Sequence, residues 1–279
     1  PPMPFRLLVL ECTPSCDWQT MFAGARVGGE EVIVEQASLG EVSLAVYSDG
    51  KPVVFLRANQ RRTRQMTFRP DHVLLRTVFH SRQGQDDRNL LYGLISAGIS
   101  ATNSLHSAYA ALHRPVVHGE LRKLHRQLAD TPHGFPLIAQ AYYPNAAAMI
   151  VTPDLPVVAK LGHAHAGYGK MRFTDAESLD DFKGVMAITP HYCTVEPYIE
   201  WDHDLRIQKI GECYRVFKRV SPRWKGNVGN AGVVEEIELT PQFKAWIDAA
   251  SGVLGGLDIC ALDLLHSSTD DSYHILELN

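Results

Sequence analysis

The sequence predicts an α/β fold, and three observations lead there. Near the start, FRLLVLE is a continuous apolar run closed by Cys12, Thr13 and Pro14, the pattern of a strand buried on both faces that opens a parallel sheet. EVIVEQA, VSLAVYS and PDHVLLRTVF follow as further strand-like runs, after which NLLYGLISAGI spaces its apolar residues as a helix does and ends near Gly98. From Pro136 the texture changes to a succession of strands. Residues 1–103 therefore read as a small Rossmann-like unit and 104–279 as a second unit of mixed helix and strand.

In the second unit, Asn103 or Ser104 is placed to cap a helix in NSLHSAYAALHRP, and GELRKLHRQLAD supplies an amphipathic helix. Six strands are then expected at LIAQAYY, PVVAKLG, GKMRF, HYCTVEPYIE, DLRIQKIG and CYRVFKRV. The stretch from about 134 to 200 reads as a compact α+β lid, with the larger sheet resuming at DHDLRIQKI.

Bulk properties exclude several functions. A net charge of −4 argues against nucleic acid as a partner, although Arg57, Arg61, Arg62, Arg64 and Arg69 make a local basic stretch able to meet an acidic surface. Five cysteines without a close pair, Cys12, Cys16, Cys193, Cys213 and Cys260, point to a reduced, cytoplasmic compartment. No apolar run reaches the roughly 18 residues of a transmembrane segment, and PPMPFRLLVLE is too short in its apolar part for a signal peptide.

The chemistry begins in AKLGHAHAGYGKMRF. This is not a Walker A loop, because Ala164 stands six before Lys170 where glycine is required, and Met171 replaces the Ser or Thr. It reads instead as a hairpin, with Lys160 on the outgoing strand, Lys170 opening the returning one, and Gly167 and Gly169 in a pliable connection. Such a loop can close its N–H groups over phosphates while the lysines neutralise them; a plain surface hairpin is the alternative. His163 and His165 lack further nearby ligands and make a poor zinc site. Next, Glu196, Pro197, Tyr198 and Ile199 can offer a hinge with the apolar slot and backbone edge that an adenine needs, and Glu200 is placed for ribose hydroxyls. Asp204 and Arg206 then fall on one strand face as a charged pair, with the arginine aimed at a terminal phosphate. FKRVSPRWKGNVGNAGVV is a basic, flexible loop carrying Lys218, Arg219, Arg223 and Lys225. The final strands place Asp263 on one and Glu277 and Asn279 on a shared face of the other, hard oxygen ligands of the kind Mg²⁺ takes when it bridges phosphates.

Lysine hairpin, hinge, D-x-R, basic loop and terminal E-x-N, in this order, resemble the ATP-grasp superfamily. NSLHSAY, GHAHAGYGK, EPYIEWDHDLRIQKIG and GGLDICALDLLH are similar to the synapsin central domain over essentially the whole chain. The resemblance implies a Rossmann-like pre-ATP-grasp domain followed by an ATP-grasp domain, ATP bound with a divalent cation, self-association into dimers and tetramers, and attachment to the cytosolic face of presynaptic vesicles. It extends to a role in vesicle clustering and neurotransmitter release, while a lipid- or actin-binding scaffold independent of ATP is a separate reading that rests only on the basic stretch near Arg61. Lys160 and Lys170 match the family's phosphate lysines, Glu196 and Ile199 its adenine hinge, and Arg206 a phosphate contact. The match has departures. Arg114 stands where vertebrate synapsins carry lysine, and Asp263 where several carry the glutamate tied to calcium dependence, so Mg²⁺ is expected to suffice and Ca²⁺ is an option. Asn279 restores the general ATP-grasp E-x-N. The chain is expected to lack the family's C-terminal helical segment. A nucleotide-regulated binding module is the first reading. The alternative is an ATP-grasp ligase that activates a carboxylate as an acylphosphate for attack by an amine or thiol.

Overall fold

In the computed structural model, residues 4–11, 16–48, 52–59, 62–79, 81–82, 85–162, 169–221, 224 and 232–279 are described. The chain divides into two units, Pro1–Leu112 with Leu254–Asp258, and His113–Val253 with Ile259–Asn279. The first runs β1 (Phe5–Glu11), α1 (Trp18–Met21), β2 (Arg26–Val27), β3 (Glu30–Ser38), β4 (Val42–Val46), β5 (Pro52–Leu56), β6 (Met66–Phe68), β7 (His72–Arg76), β8 (Ser81–Arg82), β9 (Gln85–Asp86), α2 (Arg88–Ser96), β10 (Ser100–Thr102) and α3 (Leu105–Ala111).

Its main sheet has the order β10-β7-β1-β3-β2, with β1 pairing in parallel on both sides. That central place is why Leu7 to Leu10 are all apolar and buried. Leu8 and Leu10 enter a core with Val54 and Leu56 of β5, Leu91 and Leu94 of α2, and Leu105 of α3. The helix α2 stops before Gly98, which at φ 60° takes the left-handed turn that glycine allows. The cap of α3 is Ser104, whose hydroxyl accepts from the Ser107 N–H.

VSLAVYS forms a strand, β4, which builds a separate antiparallel sheet with β5 and β6, two strands absent from the sequence reading. Only the short helical turn Leu39–Glu41 separates β3 from β4, and a parallel pairing needs a crossover of about a dozen residues.

The second unit contains α4 (Arg114–Gln127), β11 (Ala141–Tyr143), β12 (Val157–Leu161), β13 (Lys170–Phe173), α5 (Ala176–Ala187), β14 (Cys193–Pro197), β15 (Trp201–Ile210), β16 (Cys213–Val220), β17 (Val233–Ile237), α6 (Pro241–Ser251), β18 (Ile259–Ser267) and β19 (Tyr273–Leu278). Two antiparallel sheets result, β11-β14-β12-β13 and β17-β16-β15-β18-β19. The larger sheet is therefore a new one that begins with β15, and it does not resume the sheet of the first unit.

Helix α5, also unforeseen, covers one face of the four-stranded sheet. Asp175 caps it by accepting from the Ser178 N–H, and Leu179, Phe182 and Met186 fall on one stripe against Val157, Ala159, Cys193 and Val195. The five-stranded sheet is backed by α6. Trp246 of α6 is buried beside Phe243 and Tyr273, and its indole N–H donates to the carbonyls of His133 and Gly134.

Candidate functional site

Strand alternation decides what the four-stranded sheet offers. Val157, Ala159 and Val195 point into the α5 core, so Lys160 and Glu196, each one residue along, point to the opposite face. Lys170 lies directly across from Lys160 in the antiparallel pair and shares that face. Two ammonium groups brought together this way require anions. Glu196 provides one: its Oε1 accepts from Lys160 Nζ at 2.6 Å and from Gln140 Nε2 at 2.7 Å. The Lys160 and Glu196 side chains are only 7% and 3% exposed, so each depends on the other for its charge to be tolerated.

Among the described residues Lys170 makes no such close pair, and burial together with the charge of Lys160 lowers its pKa, with Glu277 and Glu196 opposing. His118 of α4 is held down to about 4, first by burial and then by Arg122, and so is neutral near pH 7. Arg114, at the first turn of α4, is ion-paired with Glu277 of β19. A cation at a helix N-terminus opposes the helix dipole, and the Glu277 carboxylate compensates it. Burial pushes Glu277 up, yet Arg114, Lys160 and Lys170 together keep it below the ordinary glutamate value.

The five-stranded sheet supplies a second cluster. Arg206 stands opposite Asp263 and Asp204 opposite Arg219. Arg206 Nη1 donates to both Asp263 oxygens at 2.9 and 3.0 Å, and the Arg219 guanidinium grips Asp204 at 2.9 and 2.8 Å. The D-x-R residues thus share a face but are not an ion pair with each other, because antiparallel pairing puts each beside a neighbour of opposite charge. Asp263 faces Glu277 across β18 and β19, and Asn279 Nδ2 donates to Asp263 Oδ2 at 2.8 Å. Burial raises Asp263 to about 6; Arg206 opposes the shift, while Glu277 and Asp204 add to it. Asp263, Glu277 and Asn279 do lie together, with the two carboxylates held by arginines.

Between the sheets runs the connection Tyr198, Ile199 and Glu200, following Glu196 and Pro197 at the end of β14. Tyr198 N–H donates to the Pro156 carbonyl at 2.9 Å, and the Glu200 carbonyl accepts from Ser268 N–H. The Arg172 guanidinium lies 4.9 Å from the Tyr198 ring centroid and 6.0 Å from that of Trp224. A cavity of about 350 Å³ adjoins the hinge, lined by Val157, Val195 and Pro197 and also by Gln140 and Glu196. Gly169, at φ 72°, adopts a left-handed conformation, and its carbonyl accepts from Leu161 N–H to close the base of the hairpin. Gly167, His163, His165, Arg223 and Lys225 fall outside the described residues.

Three contributors went unnoticed in the sequence: Gln140, His118 and Arg172. Only Arg172 carried a signal, since it lies two residues from Lys170 on a strand and therefore shares its face. In the basic stretch Arg57, Arg64 and Arg69 are exposed, whereas Arg62 is turned back onto the protein. Arg62 donates to Glu35 and to the carbonyls of Gln36 and Arg57, and Arg61 lies outside the described residues.

Comparison with known proteins covers both units. Residues 3–101 match the family model described as the synapsin pre-ATP-grasp domain, and residues 103–279 match that of the synapsin ATP binding domain. The Drosophila melanogaster protein named Synapsin is 36% identical over 280 residues, spanning 97% of this chain and 27% of that protein. The chain therefore spans about a quarter of the curated relative it matches. Among solved structures, the macrocyclase MdnC of Microcystis aeruginosa, bound with its precursor peptide MdnA, has a TM-score of 0.65 at 15% identity, over 99% of this chain and 91% of that one. D-alanyl-alanine synthetase A of Vibrio cholerae has a TM-score of 0.65 at 10% identity, over 99% and 88%. An ATP-grasp ligase, PsnB, complexed with a minimal precursor, gives 0.61 at 17% identity, over 99% and 91%. At these identities the likeness is one of fold: the α/β, ATP-grasp architecture that the sequence predicts.

Proposed function

The chain belongs to the synapsin family, and from that premise we propose that its second unit binds ATP together with Mg²⁺ as a nucleotide-regulated binding module. The observation that carries this reading is the opposed pair Lys160 and Lys170 on one sheet face, in the same electrostatic neighbourhood as Arg114 and Glu277. Burial first, and then the charges of Lys160 and Arg114, depress Lys170, and a polyanion alongside would offset the repulsion among these cations.

The metal reading rests on similar logic. Asp263 is raised to about 6 by burial, with Glu277 and Asp204 adding to the shift and Arg206 opposing it, and a divalent cation would compensate the charge of this buried carboxylate. Asp263, Glu277 and Asn279 would hold Mg²⁺, whose role when bound is to neutralise charge on the phosphates. Arg114 and Arg206, which now hold those carboxylates, are the cations left to meet phosphate oxygens, with Arg219 and Lys225 as further candidates. Ca²⁺ is the competing cation. Glu196 to Glu200 form the proposed adenine and ribose hinge on the lysine-bearing face.

We further infer from family membership that nucleotide state is linked to self-association into dimers or tetramers and to peripheral attachment at synaptic vesicles on the cytoplasmic side, and from the basic stretch near Arg61 that actin is another partner. Among the described residues no helix is long and apolar enough to cross a membrane. The test is calorimetric titration of ATP into metal-stripped protein with and without Mg²⁺, paired with phosphate release in the presence of pooled carboxylates and amines. Mg²⁺-dependent binding without turnover supports the module. Substrate-dependent phosphate release replaces it with the ligase, and equal affinity without any divalent ion removes the metal assignment.

A further inference from the structure

A second ligand set lies at the start of β15, built from residues that the nucleotide reading does not use. The pairing of β15 with β18 is irregular between Trp201 and His203, so that Asp202 is an extra residue without a partner in the ladder. The bulge has a chemical effect. His203 comes directly opposite His266, their rings stack at 4.5 Å with a 21° interplanar angle, and Asp202 is turned toward both.

Asp202 Oδ1 lies 2.8 Å from His203 Nδ1 and 2.8 Å from His266 Nδ1. Only the His266 contact has the line of a hydrogen bond; His203 Nδ1 is buried and has no hydrogen-bond partner among the described residues. The His203 side chain is 10% exposed, so this nitrogen is a desolvated lone pair or N–H with a real cost. One ligand atom from each of the three residues falls within 4.8 Å of the other two. Four-coordinate zinc with bonds of about 2.0–2.1 Å sets its ligands roughly 3.4 Å apart, so admitting an ion requires Asp202 to draw back from the 2.8 Å contacts and the two stacked rings to rotate apart until both face it.

The outer partner is also in place. His266 Nε2 is 3.0 Å from Asp271 Oδ1, which is the carboxylate–histidine arrangement that orients a metal-bound imidazole and raises its basicity. Asp271 sits in the connection between β18 and β19 at φ 55°, a left-handed conformation that costs a non-glycine residue and aims this carboxylate.

We propose that Asp202, His203 and His266 bind a transition-metal ion, with Zn²⁺ the best match to two imidazoles and one carboxylate, and that Asp271 positions His266. Mg²⁺ is the wrong ion for this donor set, since it favours oxygen in an octahedral shell. Asp202 is half exposed and provides the solvent side from which the ion and a fourth ligand enter. Bound there, the metal pins β15 to the β18–β19 hairpin two residues from Asp204, and so stiffens the strand that carries Arg206.

The test uses the untagged, metal-stripped chain without nucleotide, titrated with Zn²⁺ by calorimetry and with Co²⁺ by its visible absorption. One equivalent of Zn²⁺ is expected, along with a tetrahedral Co²⁺ spectrum that Zn²⁺ abolishes. His203→Ala and His266→Ala should each weaken binding at least tenfold, and Asp271→Asn by about 10–100-fold. Because His203 is buried, Asp202→Asn serves as the variant that spares the core, and it should also lose at least tenfold. A His163→Ala/His165→Ala double variant should bind as the wild type does. The proposal is overturned by absence of saturable Zn²⁺ binding, by wild-type affinity in Asp202→Asn and His266→Ala, or by loss of binding in the His163/His165 variant alone.

Discussion

Arg206 and Asp263 face each other across β15 and β18, and one guanidinium nitrogen donates to both carboxylate oxygens. Even so, burial and the carboxylates of Glu277 and Asp204 hold Asp263 up near 6. A raised carboxylate pKa means that the folded chain binds a proton the unfolded chain has released. Between its ordinary value of 3.8 and about 6, stability therefore falls as pH rises. A metal needs the deprotonated form, so the Asp263 contribution to Mg²⁺-dependent ATP binding should be present above about pH 6 and fade below it. The protonation of ATP itself is removed by comparison: wild type and Asp263→Asn should differ at least tenfold at pH 7.5 and converge at pH 5. A constant ratio between the two across that range would show that Asp263 is not a ligand.

Lys160→Ala has two consequences that must be separated. It should weaken ATP binding about tenfold or more, since charge-assisted contacts are worth about 1.5–3 kcal/mol. It also strands Glu196, which is 3% exposed, and breaking a buried pair costs about 3–5 kcal/mol of stability. Lys160→Met with Glu196→Gln should recover much of the melting temperature while leaving ATP binding weak. Recovery of both would reassign Lys160 to a purely structural role.

Lys170 offers a proton signal. Its pKa is lowered by burial and by Lys160, and an ATP phosphate alongside should return it upward. Binding in the pH range between this lowered value and the ordinary 10.5 is then expected to take up protons, which calorimetry in buffers of different ionisation enthalpy detects. Lys170→Arg should remove this uptake. Identical uptake in that variant would exclude Lys170 from the phosphate site.

Away from the candidate site, Asp248 of α6 accepts from Lys209 at 2.9 Å, Tyr214 at 2.7 Å and Lys244 at 2.5 Å. Burial pushes Asp248 up, but these three donors more than offset it and hold the carboxyl at about 2. A depressed carboxylate pKa gives stability that is present above 3.8 and lost as pH falls toward 2. The side chain is 34% exposed, so after discounting for solvent the effect is about 1 kcal/mol. Denaturant melts at pH 6 and pH 2 should show Asp248→Asn losing that much less on acidification than the wild type.

What the sequence revealed depended on how far apart the cooperating residues are. Strand β1, the end of α2 at Gly98, and the shared face of Glu277 and Asn279 follow from local period and are legible. Local pattern was also enough to set Lys160 against Lys170 in a hairpin. The helix α5 carried its stripe of Leu179, Phe182 and Met186, but lay between strand-rich segments whose texture masked it. Other features had no local signal at all. Nothing near Arg114 names Glu277 as its partner, and Asp204 with Arg206 looks like a pair until strand pairing gives each a different neighbour. The Asp202, His203 and His266 group was hidden for the same reason, because a bulge and a strand register, not a spacing motif, bring it together.

The ion pair between Arg114 and Glu277 joins positions 163 residues apart, whereas Arg206 and Asp263 are separated by 57. In loop-closure terms the longer contact costs about 0.9 kcal/mol more entropy to form from an open chain. The lid hairpin β12–β13 is local and can form early, but the lysines it presents meet Glu277 only once β19 has docked beside β18. A chain arrested before β19 docks would hold the β12–β13 hairpin and the Arg206–Asp263 pair without the Arg114–Glu277 pair.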